Sequence, residues 1–315
     1  MASRRLIISY AVDWAIIAAA IITALLLSDV NPDFHTFCIL DMNLSYPFRS
    51  PKLSFPIFIL LSILIPITTI ISVTIFTPFQ PPSPDPRPSH ARIRKIRYLN
   101  AALLGLGVSL GTATVISTGV KNLTGKPRPN MLSTCDPDVE SIAKHTVGGF
   151  GAEFNRLWVM VDLEICKQSD KGALRDAFRS FPSGYATIAF AGLWYLSLFL
   201  CHRFDVGVSP SSPLDGIRDI QSFDNSEQHE QLLSDDALPN HRASTLAGNQ
   251  PELLRIYMLL LPYVPLGLAI FIAGTRYFDF RNHGFDVLAG ALIGSVTSYI
   301  GFKLYQPAMR ERWSN

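Results

Sequence analysis

In the stretch TRYFDFRNHGFDVLAG, residues 275–290, Arg276, His283 and Asp286 stand close together at the edge of an apolar segment. An arginine can hold a phosphate with a planar fork of donors. An imidazole can attack it. A carboxylate three residues further on, close to one helical turn, can hold one ring nitrogen and leave the other free. The same trio could be a polar helix entrance with no chemistry. A second cationic group lies far upstream, in KNLTGKPRPN at residues 121–130. There Lys121 and Arg128 are seven positions apart with Lys126 between them, and Gly125 and Pro127 break the helix so that the chain can fold back on itself. A cluster of cations suits a phosphate, although a basic flank can also simply anchor a helix at a membrane surface. The third group is SFPSGYATIAF at residues 180–190, where Pro182 is expected in a first helical turn, followed by Ser183 and Gly184. Free backbone N–H groups at such a start make an anion site. On this segment alone a plain capped helix start is the simpler reading.

These residues need elements to carry them. The chain has 315 residues, 48% hydrophobic and 17% charged, against about 25% charged in an ordinary soluble domain. Mean hydropathy is positive. The apolar residues gather in six runs near membrane-spanning length, at 6–27, 55–77, 99–119, 184–201, 256–274 and 287–304. Six such runs argue against buried helices of a soluble core. They predict an all-α integral membrane protein with about six transmembrane helices. Asp13 in the first run is costly in lipid and must face the bundle. The first run is too long, and lacks the small-residue cleavage site, for a removable signal. Arg4 and Arg5, the basic group from Arg87 to Arg97, and Lys303, Arg310 and Arg312 mark one side as cytosolic. Both termini are therefore expected in the cytosol. The loops after the first, third and fifth helices are expected in the lumen or outside, and all three candidate groups fall on that face.

The organisation follows from the runs. Residues 1–97 hold the first two helices and a proline-rich cytosolic connector, and residues 98–204 the next two with a long luminal loop. Residues 205–252 are polar and expected to be disordered in the cytosol, and 253–315 hold the last two helices and a tail. Cys135 and Cys166 share the luminal loop, where an oxidising compartment allows them to pair, with Cys38 as a competitor. No cysteine spacing matches a zinc site. Asn43 in NLS is a glycosylation acceptor on the accessible side; Asn122 in NLT lies too near the membrane to be one. The net charge of +2 says little about partners, and no nucleic-acid partner is expected.

Taken together, the three groups resemble the type 2 phosphatidic acid phosphatase superfamily, and within it the membrane lipid phosphate phosphatases. The first motif of that family is Lys, six residues, Arg-Pro; here it is Lys121, NLTGKP, Arg128, Pro129. The second is Pro-Ser-Gly-His; here it reads Pro182, Ser183, Gly184, Tyr185. The third is Ser-Arg, five residues, His, three residues, Asp; here it reads Thr275, Arg276, YFDFR, Asn282, HGF, Asp286. Order and spacing agree across most of the chain. The resemblance implies a helical bundle in which Lys121, Arg128 and Arg276, with Ser183 and Gly184, hold the phosphate of a membrane lipid. It also implies a phosphohistidine intermediate, an orienting Asp286, and electrostatic stabilisation by the cations without metal or cofactor.

The sequence departs from that pattern at both histidines. Asn282 stands where the nucleophile belongs, and Tyr185 where the general acid belongs. An amide forms no phosphohistidine. A tyrosine, with a reference pKa of about 10, gives up a proton less readily than a histidine near neutral pH. His283 is one residue past the expected nucleophile, a step of about 100° on a helix; in a loop the shift could be absorbed. The sequence thus carries two expectations: a lipid phosphate phosphatase of reduced or altered activity, acting on phosphatidate, lysophosphatidate or a prenyl diphosphate, or a pseudophosphatase that binds such lipids. A transporter shares the six helices but would need intramembrane polar residues beyond Asp13.

Overall fold

A computed structural model describes residues 2–77, 88–155, 157–204 and 260–310. The chain forms two compact units, Met1–Phe199 with Pro262–Asn315, and Leu200–Leu261. The stretch expected to be a disordered connector, 205–252, lies outside the described residues, as does most of the proline-rich connector.

Among the described residues, the helices of five or more residues are α1 (Ala2–Asp29), α2 (Phe55–Phe76), α3 (Pro88–Thr124), α4 (Met131–Cys135), α5 (Lys171–Ala177), α6 (Gly184–Arg203), α7 (Tyr263–Phe278) and α8 (Gly284–Arg310). Five contain stretches long and apolar enough to cross a bilayer: Ile8–Asp29, Phe55–Phe76, Arg92–Thr124, Gly184–Arg203 and Gly284–Pro307. The sixth predicted span is represented by α7, which has 16 residues, fewer than the roughly 20 a perpendicular span requires. The front of that predicted run, 256–259, lies outside the described residues. The outward faces are apolar, with Ile16, Leu25, Ile57, Phe76, Leu288 and Leu292 all exposed. Such a surface is stable in hydrocarbon, where helices satisfy their backbone internally. The protein is a multi-pass integral membrane helical bundle.

Small residues bring the helices close. Glycines at 290 and 294 of α8 lie against α6. A Cβ on Gly290 would sit 2.5 Å from the Ser183 carbonyl oxygen, and one on Gly294 would collide with that of Thr187. This is the small-xxx-small logic of membrane helix packing, and it seats the start of α6 on α8. A π-turn at Leu60–Leu64 in α2 precedes Pro66, which has no N–H to give back to the helix. The carbonyl of Ser62 there meets Gly192, which lies in a second π-turn at Phe190–Trp194 of α6, with no room for a Cβ between them. Asp13 of α1 contacts Tyr305 of α8, so the acidic residue inside the first apolar run faces another helix.

A small cap closes one end of the bundle. Strands β1 (Phe37–Cys38), β2 (Thr146–Gly148) and β3 (Met160–Val161) pair antiparallel in the order β1-β3-β2. They cover a core of Phe37, Met131, Val161, Ile165 and Phe178. Cys135 and Cys166 are joined as a disulfide, with Cα atoms 4.8 Å apart, and Cys38 is free. Asn122 is turned inward, its amide donating to the Leu27 carbonyl.

Candidate active site

The end of α3, the starts of α6 and α8, and the end of α7 meet beneath the cap. The turn after α3 depends on Gly125, which has φ +48° and no space for a Cβ against the Asp33 carbonyl. From that turn the chain runs alongside the segment before α6, with Ser180 N–H donating to Lys126 O at 3.0 Å and Arg128 N–H to Ala177 O at 2.8 Å. Lys121 is thereby carried to the head of α6. Its Nζ lies 2.7 Å from the point where a Cβ on Gly184 would be. A side chain at 184 would displace the ammonium. Ser183 is the residue that caps α6, with extended φ and ψ. Its own N–H donates to the Asp286 carbonyl oxygen at 2.9 Å. Pro182 was expected in the first helical turn and in fact precedes the cap, because the helix starts two residues later.

Arg276 closes the other side. It is 4% exposed, and its guanidinium lies 3.9 Å from the centre of the Tyr185 ring. Tyr185 stacks in turn on Phe58 at 4.0 Å. The Arg276 Nε and Nη1 atoms are buried without hydrogen-bond partners among the described residues. Buried guanidinium donors left unpaired are costly, and an anion would satisfy them.

Arg128 is placed differently from the sequence expectation. Its Nε donates to the Asp176 backbone oxygen at 2.6 Å, its Nη2 to Asp176 Oδ1 at 2.6 Å, and its Nη1 to the Arg281 carbonyl at 2.9 Å. Three of the five N–H groups of the guanidinium are thus engaged by the fold. Arg281 also reaches Asp176, at 3.0 Å to Oδ2. Asp279 Oδ2 accepts from the Lys52 N–H at 2.9 Å. Burial works to raise the pKa of Asp176, but Arg128, Arg281 and Lys121 outweigh it and hold the carboxyl below its usual range.

Asp286 is fully buried and makes four contacts. Oδ1 meets Lys126 Nζ at 2.7 Å. Oδ2 accepts from the Ser180 hydroxyl, and lies 3.1 Å from both the backbone N and the Nδ1 of His283. The local sequence explains the fold-back. His283 occupies the N-cap of α8, since Asp286 N–H donates to its carbonyl at 3.0 Å, and Asp286 at N3 returns to the cap N–H. This is one half of a capping box, the N3 carboxylate returning to the cap N–H while the N3 N–H bonds the cap's backbone carbonyl. Ser180, His283 and Asp286 do not form a serine-hydrolase triad, because the Ser180 hydroxyl donates to the carboxylate and approaches the same ring nitrogen, Nδ1, at 3.4 Å.

Asn282 points elsewhere. Its Oδ1 accepts from the Ser183 hydroxyl at 3.3 Å and its amide donates to the Ser180 carbonyl. Position 282 thus faces the head of α6, and position 283 faces Asp286 and Lys126. Two cavities open beside His283. One of about 430 Å³ is lined by Lys126, Pro127, Phe37 and Met160, and one of about 280 Å³ by Tyr46, Arg49, Phe280 and Asn282. Neither is lined by Lys121, Arg128 or Arg276. Asn43 is exposed and borders both. Phe280 holds a positive φ of 54°, unusual for a bulky residue. It is clamped between the Tyr46 ring at 4.5 Å and the Arg49 guanidinium at 4.5 Å.

Sequence reasoning missed Asp176, Ser180 and Arg49 as parts of this arrangement. Ser180 had a faint signal in its place two residues before Pro182; the other two had none. Among the described residues, metal-ligand spacing occurs at His145, Asp162 and Glu164, with donor atoms within 4.8 Å of one another. His145 pairs with Asp162 at 3.3 Å, and Asp162 caps the turn at Glu164 N, which accounts for two of the three without an ion.

A family model described as the PAP2 superfamily matches residues 102–310. The chain is 26% identical over 299 residues to "Lipid phosphate phosphatase 2" of Arabidopsis thaliana, covering 94% of this chain and 77% of that protein. It is 27% identical over 210 residues to "Probable diacylglycerol pyrophosphate phosphatase 1" of Schizosaccharomyces pombe, and 25% identical over 212 residues to "Diacylglycerol pyrophosphate phosphatase 1" of Saccharomyces cerevisiae. These two alignments take in 66% and 67% of this chain, and the chain spans about half the length of either yeast relative, 54%. No solved structure matches.

Proposed function

The chain belongs to the PAP2 superfamily, and we propose on that premise that it is a lipid phosphate phosphatase-like membrane protein. It binds the phosphate head of a membrane lipid at Lys121, Ser183, Gly184 and Arg276. The observation that carries this reading is the seat of the Lys121 ammonium at the head of α6, 2.7 Å from where a Gly184 Cβ would be. Helix start, ammonium and the unpaired Arg276 donors supply charge for one phosphate. Arg128 contributes by holding Asp176 and the 281 carbonyl, and so the floor of the site. Both termini lie in the cytosol and the site faces the lumen or the outside, a reading supported by the basic residues flanking the first, third and last helices.

Hydrolysis, in this reading, runs slowly through His283. Asp286 holds Nδ1 and leaves Nε2 with its lone pair. Nε2 attacks phosphorus, the P–O bond to the lipid alcohol breaks, and the alcohol oxygen takes the proton of the Tyr185 hydroxyl. Water then cleaves the P–N bond, releases phosphate and returns a proton to Tyr185. Phosphatidate, lysophosphatidate and prenyl phosphates fit the site's demand for a phosphate at the membrane interface.

A second reading, a pseudophosphatase that binds the lipid without turning it over, is favoured by the engagement of both ends of Asn282 and by the Tyr185 ring lying against Arg276. Phosphate release from these lipids in mixed micelles separates the two. Slow release by the unmodified protein that His283→Gln removes supports the first. Binding without release, abolished by Lys121→Ala, supports the second.

A further inference from the structure

We propose that Ser117 is a further phosphate-contacting residue, donating its hydroxyl to a phosphate oxygen held by Lys121. The inference rests on the cradle reading given above. Ser117 lies four residues before Lys121, on the same face of α3. Its Oγ is 3.8 Å from the point where a Gly184 Cβ would be, beside the Lys121 Nζ at 2.7 Å. Both side chains therefore converge on the head of α6.

The hydroxyl of Ser117 differs from four others on its helix. Thr112, Thr114 and Thr124 each return theirs to the carbonyl four residues back, at 2.6, 2.6 and 2.9 Å, and Ser109 donates to the Ala191 carbonyl at 2.9 Å. Ser117 is 3% exposed, and its Oγ has no partner among the described residues. A buried hydroxyl without a partner costs stability. An anion between Lys121, Arg276 and the α6 N–H groups would remove that cost. The ligand class is a phosphate monoester, which offers three terminal oxygens to more donors than a carboxylate can use. With three of its N–H groups engaged by the fold, Arg128 has fewer left to offer a phosphate.

The test uses the full chain in detergent micelles, with dioctanoyl phosphatidate and inorganic phosphate as separate probes. Binding of both identifies the phosphate group as the ligand; binding of phosphatidate alone shows that the acyl chains are also needed. Ser117→Ala should bind phosphatidate about tenfold or more weakly than wild type, the scale of one hydrogen bond to a charged group. Ser117→Thr, which keeps the hydroxyl, should recover much of the affinity. Without ligand, Ser117→Ala should melt at or above the wild-type temperature, so that loss of binding is not loss of fold. Wild-type affinity in Ser117→Ala, with binding lost in Lys121→Ala, would overturn the role of Ser117 and leave the cradle standing. Equal affinity in wild type and Lys121→Ala would overturn the cradle and the proposal together.

Discussion

The buried carboxylate of Asp286 holds the Nδ1 of His283 at 3.1 Å, whereas Asn282, one residue earlier, bonds to Ser183 and Ser180. Neighbouring residues 282 and 283 thus face different groups, and only His283 meets the carboxylate. The proposed phosphate contacts and the proposed catalytic residues can therefore be tested by separate substitutions.

Asp286 ties three elements together, so its loss should be felt in stability as well as activity. Asp286→Ala leaves the Ser180 hydroxyl and the His283 N–H unpaired and Lys126 without its partner. The expected cost is about 2–3 kcal/mol, below that of a fully buried pair because Lys126 is partly exposed. A melting temperature unchanged in detergent would show that the network contributes nothing to the fold.

The α6–α8 crossing is predicted to be sensitive to single methyl groups. Gly294→Ala drives a Cβ into the Thr187 carbonyl and should destabilise by roughly 1–3 kcal/mol. Gly267→Ala is the matched control, since nothing lies within 4 Å of a Cβ there; in mid-helix it should be neutral or stabilising by up to about 1 kcal/mol. Thermal unfolding of the two variants side by side gives the comparison.

Asp176 gives an acid-dependent stability. Its folded pKa is depressed, so its contribution is complete above the unfolded carboxylate value of about 3.9 and is lost as pH falls through the lower folded value. Asp176→Asn should flatten the steepest acid limb of the stability profile below about pH 4 and lower stability at neutral pH. An unchanged acid limb would mean that the Arg128–Asp176–Arg281 cluster is not a stabilising unit.

The orientation has its own test. Asn43 is exposed within Asn-Leu-Ser, and a glycan there places the cap on the luminal side. Endoglycosidase should increase gel mobility of protein from a eukaryotic membrane, and Asn43→Gln should abolish that shift. Glycan addition at engineered cytosolic-loop acceptors, and none at Asn43, would invert the proposed topology.

Much of this was legible in the sequence. The six apolar runs announced the bundle because hydrocarbon demands contiguous apolar residues. Lys121, Ser183, Gly184, Arg276 and Asp286 stood out as candidates through the resemblance of their three motifs, in order and spacing, to those of the family. The engagement of Arg128 was not legible. Asp176 lies 48 residues away, with no periodic pattern to connect them. The cap sheet was invisible because strands of two or three residues are too short to show alternation. Ser117 was hidden for another reason: a serine in a spanning helix usually bonds its own backbone, and only the three-dimensional neighbourhood shows that this one does not.

We propose that the phosphate frame is intact and that positions 282 and 185 limit turnover. The most direct measurement is phosphate release from phosphatidate in mixed micelles, comparing wild type with the double variant Asn282→His, Tyr185→His. Slow or undetectable release is expected from wild type. The double variant should release phosphate about a hundredfold or more faster, the usual scale for a nucleophile or general acid. Adding Lys121→Ala to that variant should abolish the gain. Robust release by the wild-type chain, unchanged by the double substitution, would contradict the proposal.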